Sequence, residues 1–181
     1  MRKQQKGFSL IELLVVVAIM LVVAAIAIPA AIASSQSGNE SAAASNMRAV
    51  ITAETAYDKL YNSGYSTATT LAPLDMSGTC PNVPAAPTAG APPTAGACLL
   101  ASGIADNMGT ANAISGYVFT YAGTANGYTL IAVPATNVRG RKSFCADNSG
   151  SIVYSWGLTA PAPTNGACPQ PATGGPYALG S

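Results

Sequence analysis

From Leu13 to Ala33 the chain runs 21 residues without a charged side chain. Wound as an α-helix at 1.5 Å per residue, that run is about 31 Å long, the thickness of a bilayer's hydrocarbon core. The apolar character begins at Phe8 and is interrupted only by Ser9, Glu12 and Pro29. Arg2, Lys3 and Lys6 precede it, which predicts a cytoplasmic N-terminus and an exported remainder. A removable secretory signal is one alternative, and Ala30-Ala31-Ile32-Ala33 imitates a cleavage site. Such signals, however, have a shorter apolar core of roughly 7–15 residues. A single-pass anchor fits the hydropathy equally well but gives Glu12 no task.

A carboxylate at the centre of a membrane helix costs about 2.5–3.5 kcal/mol and is a functional residue by default. Near the helix start the cost is smaller, because the macrodipole favours negative charge and the interface is close. Hydropathy alone therefore leaves Glu12 open between an interfacial acid and a working one.

Composition narrows the function classes. Only 8% of residues are charged, against about 25% in an average soluble domain. Eight basic side chains face seven acidic ones, so there is no polybasic footprint and no specific nucleic-acid binding is expected. The sequence has no histidine, which removes imidazole-based zinc sites, Ser-His-Asp and Cys-His catalysis, and histidine pH switching. The acids are scattered without a close pair for acid/base chemistry. No catalytic residue, cofactor or metal site is predicted, and the chain is not expected to be an enzyme.

The segment Lys6-Gly7-Phe8-Ser9-Leu10-Ile11-Glu12-Leu13 closely resembles the processing site of type IV prepilins and pseudopilins. The resemblance implies cleavage by a prepilin peptidase between Gly7 and Phe8 and N-methylation of Phe8. It also implies a proline near the end of the apolar segment, which Pro29 supplies. Where many such pilins carry a mid-segment glycine, this chain has Leu21. Cleavage would remove Arg2, Lys3 and Lys6, leaving five basic and seven acidic side chains. It would also create an α-ammonium on Phe8. An unpaired charge in an apolar bundle is heavily penalised, whereas a paired one can specify register. Glu12 is accordingly expected to meet the Phe8 ammonium of an adjacent subunit and set the axial step. A heterologous contact that does not close yields an open polymer.

Pro29 removes a helical hydrogen bond, so a kink or an unwound stretch is expected around residues 25–29. Beyond it, Ala42-Ala43-Ala44 favour helix, and Met47, Val50, Ile51, Tyr57, Leu60 and Tyr61 share one stripe. The expectation is one long helix from Phe8 to Asn62, weakened at Pro29 and Gly38 and stopped near Gly64. The segment from Asn39 to Tyr65 also looks like the stem of short-headed pilins. Tyr57, Tyr61 and Tyr65 recur every fourth residue. An electron-carrying ladder is one reading of them; a helix face packed under a head predicts the same spacing.

Between Cys80 and Cys98 an uncharged, proline-rich stretch carries Pro-Thr-Ala-Gly-Ala twice, at residues 87–91 and 93–97. This describes an extended surface loop. Strand patterns follow at residues 116–121, 128–133, 142–146 and 151–156, with turns at Gly123 to Gly127 and at Asp147 to Gly150. Three or four strands laid on the stem helix would form a half-buried antiparallel sheet. The stretch from Arg141 to Tyr154 resembles the last hairpin of short pilins. Four cysteines permit three pairings, all on the exported side where disulfides persist. The most local closures are Cys80–Cys98 and Cys145–Cys168. The second would staple the tail to the sheet, as the resemblance to pilins with a disulfide-closed C-terminal loop implies. Arg139, Arg141 and Lys142 form the only basic cluster after cleavage, a set that is ordinarily solvated. Asp147 to Gly150 supplies too few carboxylates for a calcium loop.

The expected plan is a leader (1–7), a membrane or filament-core helix (8–33), a stem (34–63), a loop region (64–115), an antiparallel sheet (116–157) and an irregular tail (158–181). The fold class is α+β, a long helix against a small sheet. The resemblance implies a pilus subunit, with a secretion pseudopilin and a monomeric membrane-tethered binding domain as alternatives. It further implies self-assembly into a homopolymer and an inner-membrane assembly platform as partner. Membrane lipid would surround the precursor, and the assembled form would lie in a surface pilus or a periplasmic pseudopilus.

Overall fold

A computed structural model describes residues 8–62, 64–67, 97–108, 111–171, 175 and 177–179. Cys80 and the proline-rich repeats up to residue 96 lie outside the described residues, as does Gly7. Two compact units are distinguished, Met1–Ser35 and Gln36–Ser181.

Helix α1 spans Leu10–Tyr61, 52 residues, and contributes to both units. The first unit is its apolar part, where the large side chains from Phe8 to Ile32 are exposed. The expected unwinding near Pro29 is not found: helix is continuous through Pro29 and through Gly38. Proline costs one hydrogen bond and glycine about 1 kcal/mol. The alanine-rich surroundings of Pro29 and of the segment after Gly38 keep every neighbouring turn helical.

In the second unit α1 buries one stripe: Ala43, Ala44, Met47, Val50, Ala53, Glu54, Tyr57 and Tyr61. Ile51 and Leu60 pack at its margin. The helix ends at Tyr61, and the left-handed residue that closes it is Asn62, at φ 47°, an asparagine doing what glycine often does there. Gly64 has another role. A Cβ on it would overlap the Ala125 carbonyl, and its φ is +81°. It lets the chain pass tight against a sheet turn rather than stopping the helix.

The sheet is a six-stranded antiparallel meander in chain order. Its strands are β1 Ala113–Ile114, β2 Tyr117–Thr124, β3 Gly127–Pro134, β4 Lys142–Asp147, β5 Ile152–Trp156 and β6 Tyr177–Ala178. The central four follow the expected runs, but β2 and β3 extend to a two-residue turn with Thr124 opposite Gly127. Strands β1 and β6 are two-residue edges, too short to leave a period-two pattern in sequence. Strand β6 brings part of the expected irregular tail into the sheet, and the Leu179 amide donates to the Ile152 carbonyl at 2.8 Å. A short helix, α2, spans Ser102–Ala105.

Alternation decides the core. Tyr117, Phe119 and Tyr121 on β2, Tyr128, Leu130 and Ala132 on β3, and Phe144 and Ala146 on β4 join the helix stripe in one cluster. Ala97, Leu100, Ala105 and Met108 join the same cluster, so part of the expected loop region is core. Strand β4 is buried on both faces: Cys145 packs with Val153, Cys168 and Ile131 in a second small cluster.

One acid sits inside. Glu54 is fully buried, with the Tyr121 hydroxyl 2.5 Å from its Oε1 and the Ser66 amide donating to Oε2 at 3.1 Å. The same hydroxyl lies 2.9 Å from the Ser66 carbonyl. A phenol carries one proton and cannot donate to both oxygens. A protonated Glu54 satisfies the set: its carboxyl donates to Tyr121, which donates to Ser66. Burial pushes the Glu54 carboxyl upward, with the Tyr121 and Ser66 hydrogen bonds opposing.

Candidate functional site

Chemistry concentrates where α1 begins. Ser9 is the N-cap: its carbonyl accepts the Leu13 amide at 3.3 Å. Three residues on, Glu12 reaches back and accepts the Ser9 amide on Oε2 at 2.9 Å. This is the reciprocal half of a capping box, in which a Ser-x-x-Glu spacing satisfies the orphan N–H groups of a helix start. The Ser-x-x-Glu spacing is legible in sequence, and it adds a cap to the helix-start and assembly roles expected of Glu12. The carboxylate thus already has a local partner, and the macrodipole favours it at this position.

Phe8, Ile11, Glu12, Val15 and Val16 line one shallow apolar hollow on the helix surface. Phe8 is 87% exposed, so the residue expected to become the mature N-terminus and the acid expected to receive it share one face. Gly7, the other side of the expected cleavage, lies outside the described residues. Pro29 sits inside the helix. Helix α1 is long and apolar enough to cross a membrane.

In the head, Cys145 and Cys168 form a disulfide with Cα atoms 5.9 Å apart. Asp147 reinforces it: Oδ2 accepts the Cys168 amide at 2.8 Å and Oδ1 the Ser149 amide at 2.9 Å. One carboxylate therefore holds both the β4–β5 turn and the tail at Cys168. Cys98 is also disulfide-bonded, and Cys80 lies outside the described residues.

Of the three tyrosines expected in register, Tyr57 and Tyr61 lie on the helix and Tyr65 lies beyond its end, and all three are packed. Tyr57 and Tyr61 have ring centroids 4.9 Å apart, and Tyr65 meets Tyr128 edge-on at 5.1 Å. Burial first, then the nearby Glu54, raises the pKa of the Tyr57, Tyr121 and Tyr128 hydroxyls. Lys142 leaves the expected basic cluster to pair with Glu40 at 3.4 Å and to sit over the Tyr154 and Trp156 rings. Arg139 and Arg141 remain exposed. Among the described residues no group of His, Cys, Asp or Glu is placed to hold a metal ion.

Residues 2–28 match the family model described as the prokaryotic N-terminal methylation motif. No curated protein and no solved structure matches the chain. The matched segment contains the Ser9–Glu12 cap, the exposed Phe8 and most of the uncharged run. That segment gives the chain the prokaryotic N-terminal methylation motif, the signature of type IV pilins and pseudopilins.

Proposed function

We propose that the chain is the structural subunit of a type IV pilus, made as a membrane-anchored precursor and polymerised through the apolar part of α1. A prepilin peptidase cuts between Gly7 and Phe8, and the Phe8 amine is methylated. An inner-membrane assembly platform then lifts the subunit from the bilayer into the filament. The chain's work is mechanical: adhesion, motility or DNA uptake carried by the polymer, not catalysis.

One observation carries this reading. The head closes its own core, while the large apolar side chains of Leu10 to Ile32 stay exposed. Such a surface is stable only in lipid or against other apolar helices. The Phe8–Glu12 face supplies a reason for ordered stacking, since a new ammonium there needs a carboxylate.

The test has two parts. Intact mass and N-terminal sequencing of the exported protein should show Phe8 first and methylated; Met1 retained would leave a membrane-tethered binding domain. Electron microscopy of sheared surface material should show filaments whose dominant subunit is this chain. Processed protein confined to short periplasmic assemblies would assign it to a secretion pseudopilus instead.

A further inference from the structure

Strand β3 ends at Pro134, β4 begins at Lys142 and β5 ends at Trp156, so antiparallel pairing gathers these termini at one end of the sheet. The connection between β3 and β4 is fastened there to the first turn of the head's helix. Gln36 Nε2 donates to the Asn137 carbonyl at 2.8 Å, and Asn39 Nδ2 donates to the Arg139 carbonyl at 2.8 Å. The Arg141 amide donates to Glu40 Oε1 at 2.9 Å. The Gly157 amide donates to the Arg141 carbonyl at 2.7 Å, bringing the end of β5 to the same place.

What this end presents is unusual for the head. Among its described residues, four large apolar side chains are exposed: Val138, Trp156, Leu158 and Tyr177. The first three sit at this end, at 53%, 60% and 50% exposure. Arg139 and Arg141 are exposed beside them. Glu40, the acid at this level, is engaged by Lys142 and by the Arg141 amide. The result is a cationic, aromatic and aliphatic surface. Gln36, which pins it, stands three residues after Ala33, where the apolar run ends.

We propose that this end of the head docks on anionic phospholipid headgroups while the precursor is held in the bilayer. Trp156, Val138 and Leu158 enter the interfacial layer, and Arg139 and Arg141 pair with lipid phosphates. Tryptophan prefers the interface because its ring is amphipathic, and basic side chains are drawn to anionic lipid surfaces. Chain connectivity keeps the helix turn that fastens this surface close in sequence to the end of the apolar run. Docking restrains the head before it is handed to a filament. The proposal rests on the membrane-anchored precursor and not on polymerisation, so filament formation succeeds or fails independently of it.

Trp156 is the only tryptophan in the chain, which makes it a native reporter. The full-length protein is reconstituted in phosphatidylglycerol–phosphatidylcholine vesicles, with lipids brominated high on the acyl chain as quenchers. Trp156 emission should shift to shorter wavelength and be quenched, and both effects should weaken as salt rises. R139Q/R141Q should lower the ratio of docked to free heads by roughly 30-fold, from about five-fold per basic side chain. Retention of the near-ultraviolet circular dichroism signal confirms that its head is folded. Absence of quenching overturns the proposal, as does equal quenching in pure phosphatidylcholine that R139Q/R141Q leaves unchanged. Protection that grows with protein-to-lipid ratio also overturns it, because the surface would then be a contact between copies.

Discussion

The two stretches of α1 share a backbone and differ in everything the side chains ask of their surroundings. From Leu10 to Ile32 the helix is apolar on all sides and exposes Ile11, Leu14, Leu21 and Ile26 alike. From Gln36 to Tyr61 it buries a single stripe and leaves the rest to water. A helix apolar all round needs an apolar environment supplied from outside, whereas a striped helix can be completed by its own domain. The first stretch is therefore unfinished in a lone chain. The second is finished by the sheet.

The first stretch carries Glu12 and the second buries Glu54, and these two carboxylates are handled in opposite ways. Glu12 lies at a helix start, exposed and capping Ser9, with negative charge favoured. Glu54 lies mid-helix in the core, among the phenols of Tyr57, Tyr121 and Tyr128, with its pKa raised by burial. Losing Glu12 should be felt in assembly and losing Glu54 in folding. The largest expected effect is Glu12→Ala, which should insert in membranes normally while filament yield falls by two orders of magnitude or more. That corresponds to the ~3–5 kcal/mol typical of a buried charge left alone. Glu12→Gln separates the roles, since an amide oxygen can still accept the Ser9 amide. It should keep the helix start and still polymerise poorly, as sheared-pilus yield would show; normal filaments from it would refute charge pairing.

Next in size is the head's covalent clip. Replacing Cys145 and Cys168 by serine opens a closure across 23 residues, worth about 3 kcal/mol in the loop-entropy model. Thermal unfolding of the full chain in detergent should register the loss, with membrane insertion unaffected.

Glu54 comes third. Glu54→Ala strands the Ser66 amide and leaves the Tyr121 hydroxyl only the Ser66 carbonyl, and should cost about 2–3 kcal/mol. Glu54→Gln can donate to Tyr121 and accept from Ser66, so it should match or exceed the parent near neutral pH. The sign of the pH dependence follows from the raised value. The folded head favours the protonated acid, so this contribution is complete below the ordinary carboxylate range and is lost as pH climbs through Glu54's folded value. The surrounding tyrosines stay neutral over that window. Melting temperatures of the parent should fall across it, and those of Glu54→Gln should not.

The smallest effect is at the junction. Gln36→Ala removes one side-chain hydrogen bond to the Asn137 carbonyl and should cost about 1 kcal/mol. Faster amide exchange in the β3–β4 connection, without change in the rest of the sheet, would locate it.

How far this comparison could be read from sequence depends on the range of each interaction. The uncharged run, the Lys6 to Leu13 motif and the four central strands are local patterns, and all are legible. Glu54 was not, because it falls within an otherwise apolar stripe, and only the fold brings Tyr121 and Ser66 to it. The ties from Gln36, Asn39 and Glu40 to the β3–β4 connection span about a hundred residues and leave no periodic trace. Asn62 took the closing role expected near Gly64 because either residue tolerates a left-handed backbone. The Ser9–Glu12 cap is a local pattern as well, a Ser-x-x-Glu spacing at the start of the apolar helix.

Cys145 faces outward from a strand buried on both sides, and its bridge is what draws the C-terminal segment over that face. Thiols join only in an oxidising compartment, so a head still in the cytoplasm has an unsealed exterior. For the subunit proposed above, oxidation would then work as a customs stamp, marking heads that have crossed the membrane.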